Sequence, residues 1–162
     1  MSTGIVYFSR SNNTRIGAEY LAGKLGAEVV ELLETREYKG LTGFLRAGLR
    51  ASVGKKPELQ GEPWQGIEKF TSIYLMTPIW ASHGTPAMNA FLQKADFSGK
   101  EVTVVTFQAD PKGGGSDKVH EHMKQIIEGS GGKFRRGFAL HSTYPGKFAG
   151  KEYIESQIDK II

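Results

Sequence analysis

Five runs rich in apolar and β-branched residues alternate along the chain with stretches of helical spacing: "GIVYFS" (4–9), "EVVELL" (28–33), "TSIYLMTP" (71–78), "EVTVVTFQ" (101–108) and the more polar "KFRRGFALHS" (133–142). Between and after them lie Ile16, Tyr20, Leu21 and Leu25, then Met88, Phe91, Leu92 and Ala95, then Val119, Met123, Ile126 and Ile127, and last Ile154, Ile158, Ile161 and Ile162. Intervals of three and four residues put an apolar stripe on each helix, whereas the short β-branched runs read as strands. Strands that alternate with helices predict a parallel sheet covered on both faces. The runs at 4–9, 71–78 and 101–108 are nearly continuously apolar, as central strands are, and those at 28–33 and 133–142 carry charges suited to edges. The expectation is a three-layer, doubly wound α/β fold with five parallel strands; the order 2-1-3-4-5 accommodates the pattern, although periodicity alone does not fix it.

Helix boundaries agree with this phase. Thr85 before Pro86 reads as an N-cap followed by N1, Ser116 or Asp117 is placed to cap the next helix, and "EGSGGK" (128–133) ends it. Leu41, Phe44, Leu45, Leu49 and Val53 predict a further amphipathic helix within 41–56, where Arg46, Arg50, Lys55 and Lys56 form a solvated face or a dock for an acidic protein or a nucleotide phosphate. At 162 residues, the span 1–162 is expected to be a single domain.

The absence of Cys removes disulfides, thiolate metal sites and Cys nucleophiles, so redox chemistry would need a bound cofactor. No stretch approaches ~20 continuous apolar residues, and "MST" runs into "GIVYF" without a signal-peptide pattern, which predicts a cytoplasmic protein with no membrane span. A formal charge of +4 favours anionic ligands or acidic partners. The basic residues are spread along the chain without a Lys/Arg block, which argues against nucleic acid.

In an open α/β sheet ligands bind outside the carboxyl ends of the strands, where strand order reverses. Three loops lie there. The first, Ser9-Arg10-Ser11-Asn12-Asn13-Thr14, joins strand to helix, so free backbone N–H groups and the positive helix end converge with three hydroxyls and an amide: a cradle for a phosphate monoester, or simply a capped helix. It has neither the GK[ST] of a triphosphate loop nor the glycines of GxGxxG. The second, "TPIWASHGTP" (77–86), carries Trp80, which a planar ring or neighbouring side chains would cover. The third, "TFQADPKGGGSDK" (106–118), offers main-chain groups at Gly113 and Gly114 for close approach to a ligand, though Gly-rich surface loops are common.

These residues resemble the flavodoxin family over essentially the whole chain. Its phosphate loop, [ST]-x-[ST]-x-x-[ST], is matched by Ser9, Ser11 and Thr14, and "PIWASHGTP" is similar to the second loop of many members. The resemblance implies a noncovalent FMN with its phosphate at Ser9, Arg10, Ser11, Asn12, Asn13 and Thr14, its ring system against Thr77, Pro78, Ile79, Trp80, Ala81 and Ser82, and its pyrimidine edge toward Thr106, Phe107, Gln108, Asp110, Gly113 and Gly114. Arg10, Asn12 and Ser82 stand where relatives often have Gly. A loop that turns through positive φ prefers Gly, so Ser82 is expected to resist that turn. No residue stands out as an outer cover for the ring.

Two functions follow from the resemblance: an electron-transfer flavoprotein serving a redox partner protein, for which an acidic one is favoured, or an NAD(P)H-dependent quinone or flavin reductase, with His83 as candidate proton donor or orienting group. The basic balance predicts a reduction potential above that of acidic carriers. A response-regulator role is excluded, since Ser9-Arg10-Ser11 and Thr77-Pro78 stand where acidic residues and a phosphorylatable Asp would be needed. His120 and His122, at i and i+2 on a helix, cannot share a metal and read as surface residues. A monomer and a homodimer are both compatible with the sequence.

Overall fold

The computed structural model describes residues 2–35 and 57–162; the amphipathic helix expected within 41–56, with its four basic residues, lies outside them. The elements are β1 (Thr3–Tyr7), α1 (Asn13–Leu25), β2 (Glu28–Glu31), a 3-10 turn (Gln65–Ile67), β3 (Ser72–Trp80), β4 (His83–Gly84), α2 (Pro86–Leu92), β5 (Glu101–Gln108), α3 (Ser116–Gly129), β6 (Lys133–His141) and α4 (Lys151–Ile158). The sheet runs β2-β1-β3-β5-β6, all parallel, and β4 folds back antiparallel on the end of β3. With β4 set aside as a hairpin arm, the order of the five long runs is the expected 2-1-3-4-5.

Period-two alternation divides the strands between two cores. Val6 and Phe8 of the first run, Ile73 and Leu75 of β3, and Val102 and Val104 of β5 pack with α2 and α3 on one face. Ile5 and Tyr7, Met76, and Val105 and Phe107 pack with α1 and α4 on the other. Helices on opposite faces therefore leave β1 and β3, and a crevice opens at the carboxyl ends of these neighbours.

The cap at Thr85 is as read: with extended backbone (ψ 150), its hydroxyl accepts from the Met88 amide at 3.3 Å. Two boundaries differ. α3 is capped by Gly115, in left-handed conformation at φ 87, while Ser116 is already helical with its hydroxyl turned into the sheet. α4 ends at Ile158, and Ile161 packs on the core from beyond the helix.

The return from β3 to β4 is a two-residue turn in which Ala81 (φ 49) and Ser82 (φ 60) are both left-handed. This is the conformation of the type I′ hairpin, which matches strand twist but favours Asn-Gly. Ser82 thus adopts the positive φ that a non-glycine residue was expected to resist, and the cross-strand pairing of Ile79 with Gly84 and Trp80 with His83 offsets the strain. Ala81→Gly removes a Cβ penalty of about 1–2 kcal/mol and adds a smaller unfolded-state entropy. A net gain of roughly 0.5–1 kcal/mol is expected, read as a rise in thermal midpoint of about 1–4 °C; a lower midpoint would refute the strain.

Candidate functional site

One cleft opens at the carboxyl end of the sheet. It is lined by Arg10, Ser11, Asn13 and Thr14 from the first loop, Pro78, Ile79 and Trp80 from the end of β3, Phe107, Gln108 and Ala109 from the end of β5, and Ser142, Thr143, Tyr144, Pro145 and Gly146 after β6. The last segment was not foreseen. The only sequence hint is the aromatic-Pro-Gly turn Tyr144-Pro145-Gly146 shortly after β6, on the same sheet end as the other three loops.

The first loop is built for a small anion. Asn12 takes φ 65 and ψ −10, a left-handed position that Asn tolerates better than most residues, and α1 begins behind it with no acidic side chain in its first turn. The positive end of α1 therefore faces the cleft uncompensated. The Ser9 hydroxyl is buried without a hydrogen-bond partner among the described residues, a costly state for a polar group. Asn13 is used differently from the expected ligand donor: its amide donates to Lys147 O at 2.8 Å and Ser11 Oγ at 3.1 Å, and its oxygen accepts from Ala149 N at 2.8 Å. It staples the segment after β6 to the start of α1. Ser142 holds the other end of that segment, its amide donating to Gln108 O at 2.8 Å.

Trp80 lies in the wall of the cleft and is 4% exposed. Its cover comes from the protein: the Phe8 ring meets it edge-on at 5.7 Å and 81°, and the Arg10 guanidinium lies 5.8 Å from its ring centroid. The exposed apolar area anticipated for this loop is thus already removed.

Several expected ligand contacts are instead fixed in internal bonds. Thr77 and Thr85 share a hydroxyl bond of 2.9 Å that seats the cap of α2. Asp110 curls back to accept from Lys112 N at 2.9 Å and Gly114 N at 3.0 Å; a Cβ on Gly114 would sit 2.3 Å from that carboxylate, so a side chain there would push the Asp110 carboxylate out of this bond. Gln108 accepts from Ser116 and donates to Asp110 O at 3.2 Å, leaving its second amide N–H beside the cleft. Ser9, Asn12, Thr77, Thr106, Asp110, Gly113, Gly114 and the turn residues Ala81, Ser82 and His83 stand outside the cleft lining, and His83 is exposed.

His120 is not the surface residue expected. Its Nε2 pairs with Thr106 Oγ1 at 3.0 Å, and its ring lies where a Cβ on Gly137 would come within 2.3 Å of Nδ1. Burial lowers its pKa below the usual 6.5, partly opposed by Asp117. In the window just under 6.5 the unfolded chain takes up a proton that the folded chain refuses. The stabilising difference is thus complete above that value and is lost as pH falls through the window. His120→Asn, which keeps a hydrogen-bonding group but does not titrate, is expected to flatten the loss of urea midpoint between about pH 7.5 and 5.5; an unchanged slope would rule His120 out as its source.

Among the described residues no helix is long and apolar enough to cross a membrane, and no group of three or more His, Asp or Glu side chains is placed to hold a metal ion. No protein-family model and no curated protein sequence matches the chain. Solved structures do. A Trp repressor binding protein from Bacillus subtilis aligns with 99% of each chain at 15% identity and a TM-score of 0.70. A flavoprotein from Lactobacillus acidophilus, solved in complex with FMN, aligns over 85% of this chain and 92% of its own at 18% identity and a TM-score of 0.67. Oxidised flavodoxin 1 from Bacillus cereus aligns over 99% and 94% at 16% identity and a TM-score of 0.60. The fold is flavodoxin-like.

Proposed function

We propose that the chain is a flavoprotein that binds FMN noncovalently in this cleft and serves in electron transfer. The observation that carries the reading is the Ser9 hydroxyl, buried without a partner among the described residues in the loop that leads from β1 into α1 and next in sequence to the cleft-lining Arg10 and Ser11. A phosphate monoester supplies the acceptor that this hydroxyl lacks, and the same oxygens meet the uncapped N–H groups of α1 and the hydroxyls of Ser11 and Thr14. The donor set fits the group, since it is neutral apart from Arg10 and no carboxylate lies in the first turn.

FMN, when bound, supplies the electron transfer itself. The protein's part is to hold and shield it. Ser9 to Thr14 grip the phosphate, Trp80 offers an indole wall, and the spare N–H of Gln108 is available to a ring carbonyl. Tyr144, 73% exposed, stands at the cleft mouth as the aromatic cover that sequence reading did not find. The net charge of +4 suits an acidic redox partner.

The reductase reading keeps one supporting observation: His83 is exposed on the hairpin next to Trp80, where a second reactant could meet it. Oxidation of NADPH with a quinone and no added reductase would favour it over a carrier. The FMN reading is tested by the visible spectrum of the purified protein and by chromatography of what heat releases. A colourless protein that takes up no added FMN would end it.

A further inference from the structure

Asp110 O is a carbonyl and can only accept a hydrogen bond, and Gln108 meets it at 3.2 Å with one end of its side-chain amide. That end must be Nε2, because the opposite orientation would set two oxygens against each other. Gln108 Oε1 then faces Ser116 Oγ, so the single hydroxyl proton of Ser116 goes to Gln108. Ser116 Oγ is left to accept, and Thr106 Oγ1 stands 3.3 Å from it. Thr106 Oγ1 also has Phe138 O at 3.3 Å and His120 Nε2 at 3.0 Å. With a proton on Nε2, Thr106 accepts from the ring and donates onward, its proton shared between Ser116 Oγ and Phe138 O. With a bare Nε2, the one proton of Thr106 is spent on the ring and a bond is lost. Counting bonds therefore assigns the proton to Nε2, and the chain runs one way, from His120 through Thr106 and Ser116 to Gln108 and Asp110 O. The carbonyls beside Gln108 are already engaged. Gln108 O accepts from Ser142 N at 2.8 Å and Ser142 Oγ at 3.3 Å, Asp110 O accepts also from Gly113 N at 3.2 Å, and Ala109 O accepts from His141 Nε2 at 3.1 Å. What Gln108 offers the cleft it lines is thus its second Nε2–H.

We infer that His120, Thr106 and Ser116 are positioning residues for the cleft: their one-way chain holds the Gln108 amide with its nitrogen toward the bound molecule, so this wall selects a ligand edge that presents an acceptor, a ring carbonyl or an unprotonated ring nitrogen. The inference rests on the reading of this cleft as an FMN site, since the FMN ring system carries such acceptors, and it adds three residues of which none lines the cleft. Thr106 and Ser116 are buried, so water does not replace a missing link. Without the Ser116 hydroxyl, Gln108 Oε1 becomes a buried acceptor lacking a donor, and the amide gains by turning its oxygen toward the open side. There the oxygen would meet the ligand's own acceptor and repel it. Thr106 acts one step further back: its hydroxyl polarises that of Ser116 and strengthens the bond that Ser116 makes to Gln108. Its removal is the milder loss.

Two readouts need no flavin. Burial lowers the His120 pKa, so at about pH 8 the ring is neutral, and a long-range nitrogen–proton NMR spectrum should find its proton on Nε2. A proton on Nδ1 would reverse the first link and overturn the proposal. The side-chain amide signals of Gln108, identified by their loss in Gln108→Leu, should move in Ser116→Ala and in Thr106→Val and return close to their original place in Thr106→Ser. Packing alone predicts the reverse order, because Ser lacks the methyl group that Val keeps; that order, or signals indifferent to Thr106→Val, would refute the chain. With FMN, affinity is expected to fall about tenfold in Gln108→Leu and Ser116→Ala and about threefold in Thr106→Val, with Thr106→Ser restoring it. The infrared carbonyl stretch of bound FMN should rise in frequency in Gln108→Leu as its hydrogen bond is lost. FMN bound with unchanged affinity and carbonyl stretch in that variant would overturn the selection of an acceptor. A protein that takes up no FMN, yet shows the Nε2 proton and the ordered response of the Gln108 signals, would keep the chain and remove only the FMN reading.

Discussion

Gly4→Ala is expected to lower stability by about 3 kcal/mol, the upper end of what overpacking of a core usually costs. A Cβ at this position would fall 2.2 Å from Phe70 Cδ2 and 2.3 Å from Cε2, well inside contact distance. Neither side can give way easily. Phe70 is 2% exposed and packed with Ile67 and Ile73 in the α2–α3 core. Gly4 pairs with Glu28 on one side and Ile73 on the other, so a backbone shift disturbs two ladders at once. For a domain of this size, about 2–4 °C of midpoint per kcal/mol gives a drop of roughly 6–12 °C. Phe70→Leu added to Gly4→Ala should recover part of it by vacating the contested space. Failure of that rescue would show that the ring is not what forbids a side chain here. Ligand affinity of the surviving fold should be unchanged, because Gly4 lies near the amino end of β1 and the cleft at its carboxyl end.

What sequence reading reached, and what it missed, divides along the range of the interactions. The three continuous apolar runs became β1, β3 and β5, and the charged runs became the outer strands, because burial on two faces or one writes itself into local composition. Thr85-Pro86 was legible because capping is an affair of four residues. The β4 arm was not: its turn is Ala81-Ser82, without the Asn-Gly that marks such hairpins, and the left-handed conformations are imposed by pairing rather than by local preference. His120 was misplaced for a related reason. Its spacing from His122 suggests a solvated face, yet its ring fills the space above Gly137, and that glycine in β6 is the available clue. The wall formed by Ser142 to Gly146 depends on Asn13 bonding to Lys147, 134 residues away, and no local pattern announces such a contact. Trp80 shows both sides: the residue and its loop were legible, while its cover by Phe8 and Arg10 belongs to tertiary structure.

Asn13→Asp is expected to separate the two duties that meet at the start of α1. Asn13 is 6% exposed and uses both ends of its amide, donating to Lys147 O and Ser11 Oγ and accepting from Ala149 N. A carboxylate keeps the acceptor but loses both donors, and it turns a charge toward the Lys147 carbonyl. Leaving buried groups unsatisfied in this way costs about 1–3 kcal/mol, read as a lower urea midpoint. The larger effect should fall on FMN. A carboxylate roughly 5 Å from a phosphate repels it by about 3 kcal/mol per unit of charge at an effective dielectric near 20, which corresponds to more than a hundredfold loss of affinity. Asn13→Ala removes both donated bonds and also the one accepted from Ala149 N, without adding charge, so it should lose at least as much stability as the Asp variant and yet weaken FMN only about tenfold. Lowering the pH should narrow the gap, since protonation of the introduced carboxyl removes its charge and restores a donor. Fluorescence titrations of FMN at about pH 8 and pH 5 decide the matter: equal affinity losses in the two variants, independent of pH, would mean that no phosphate lies beside Asn13 and that the cleft binds something else.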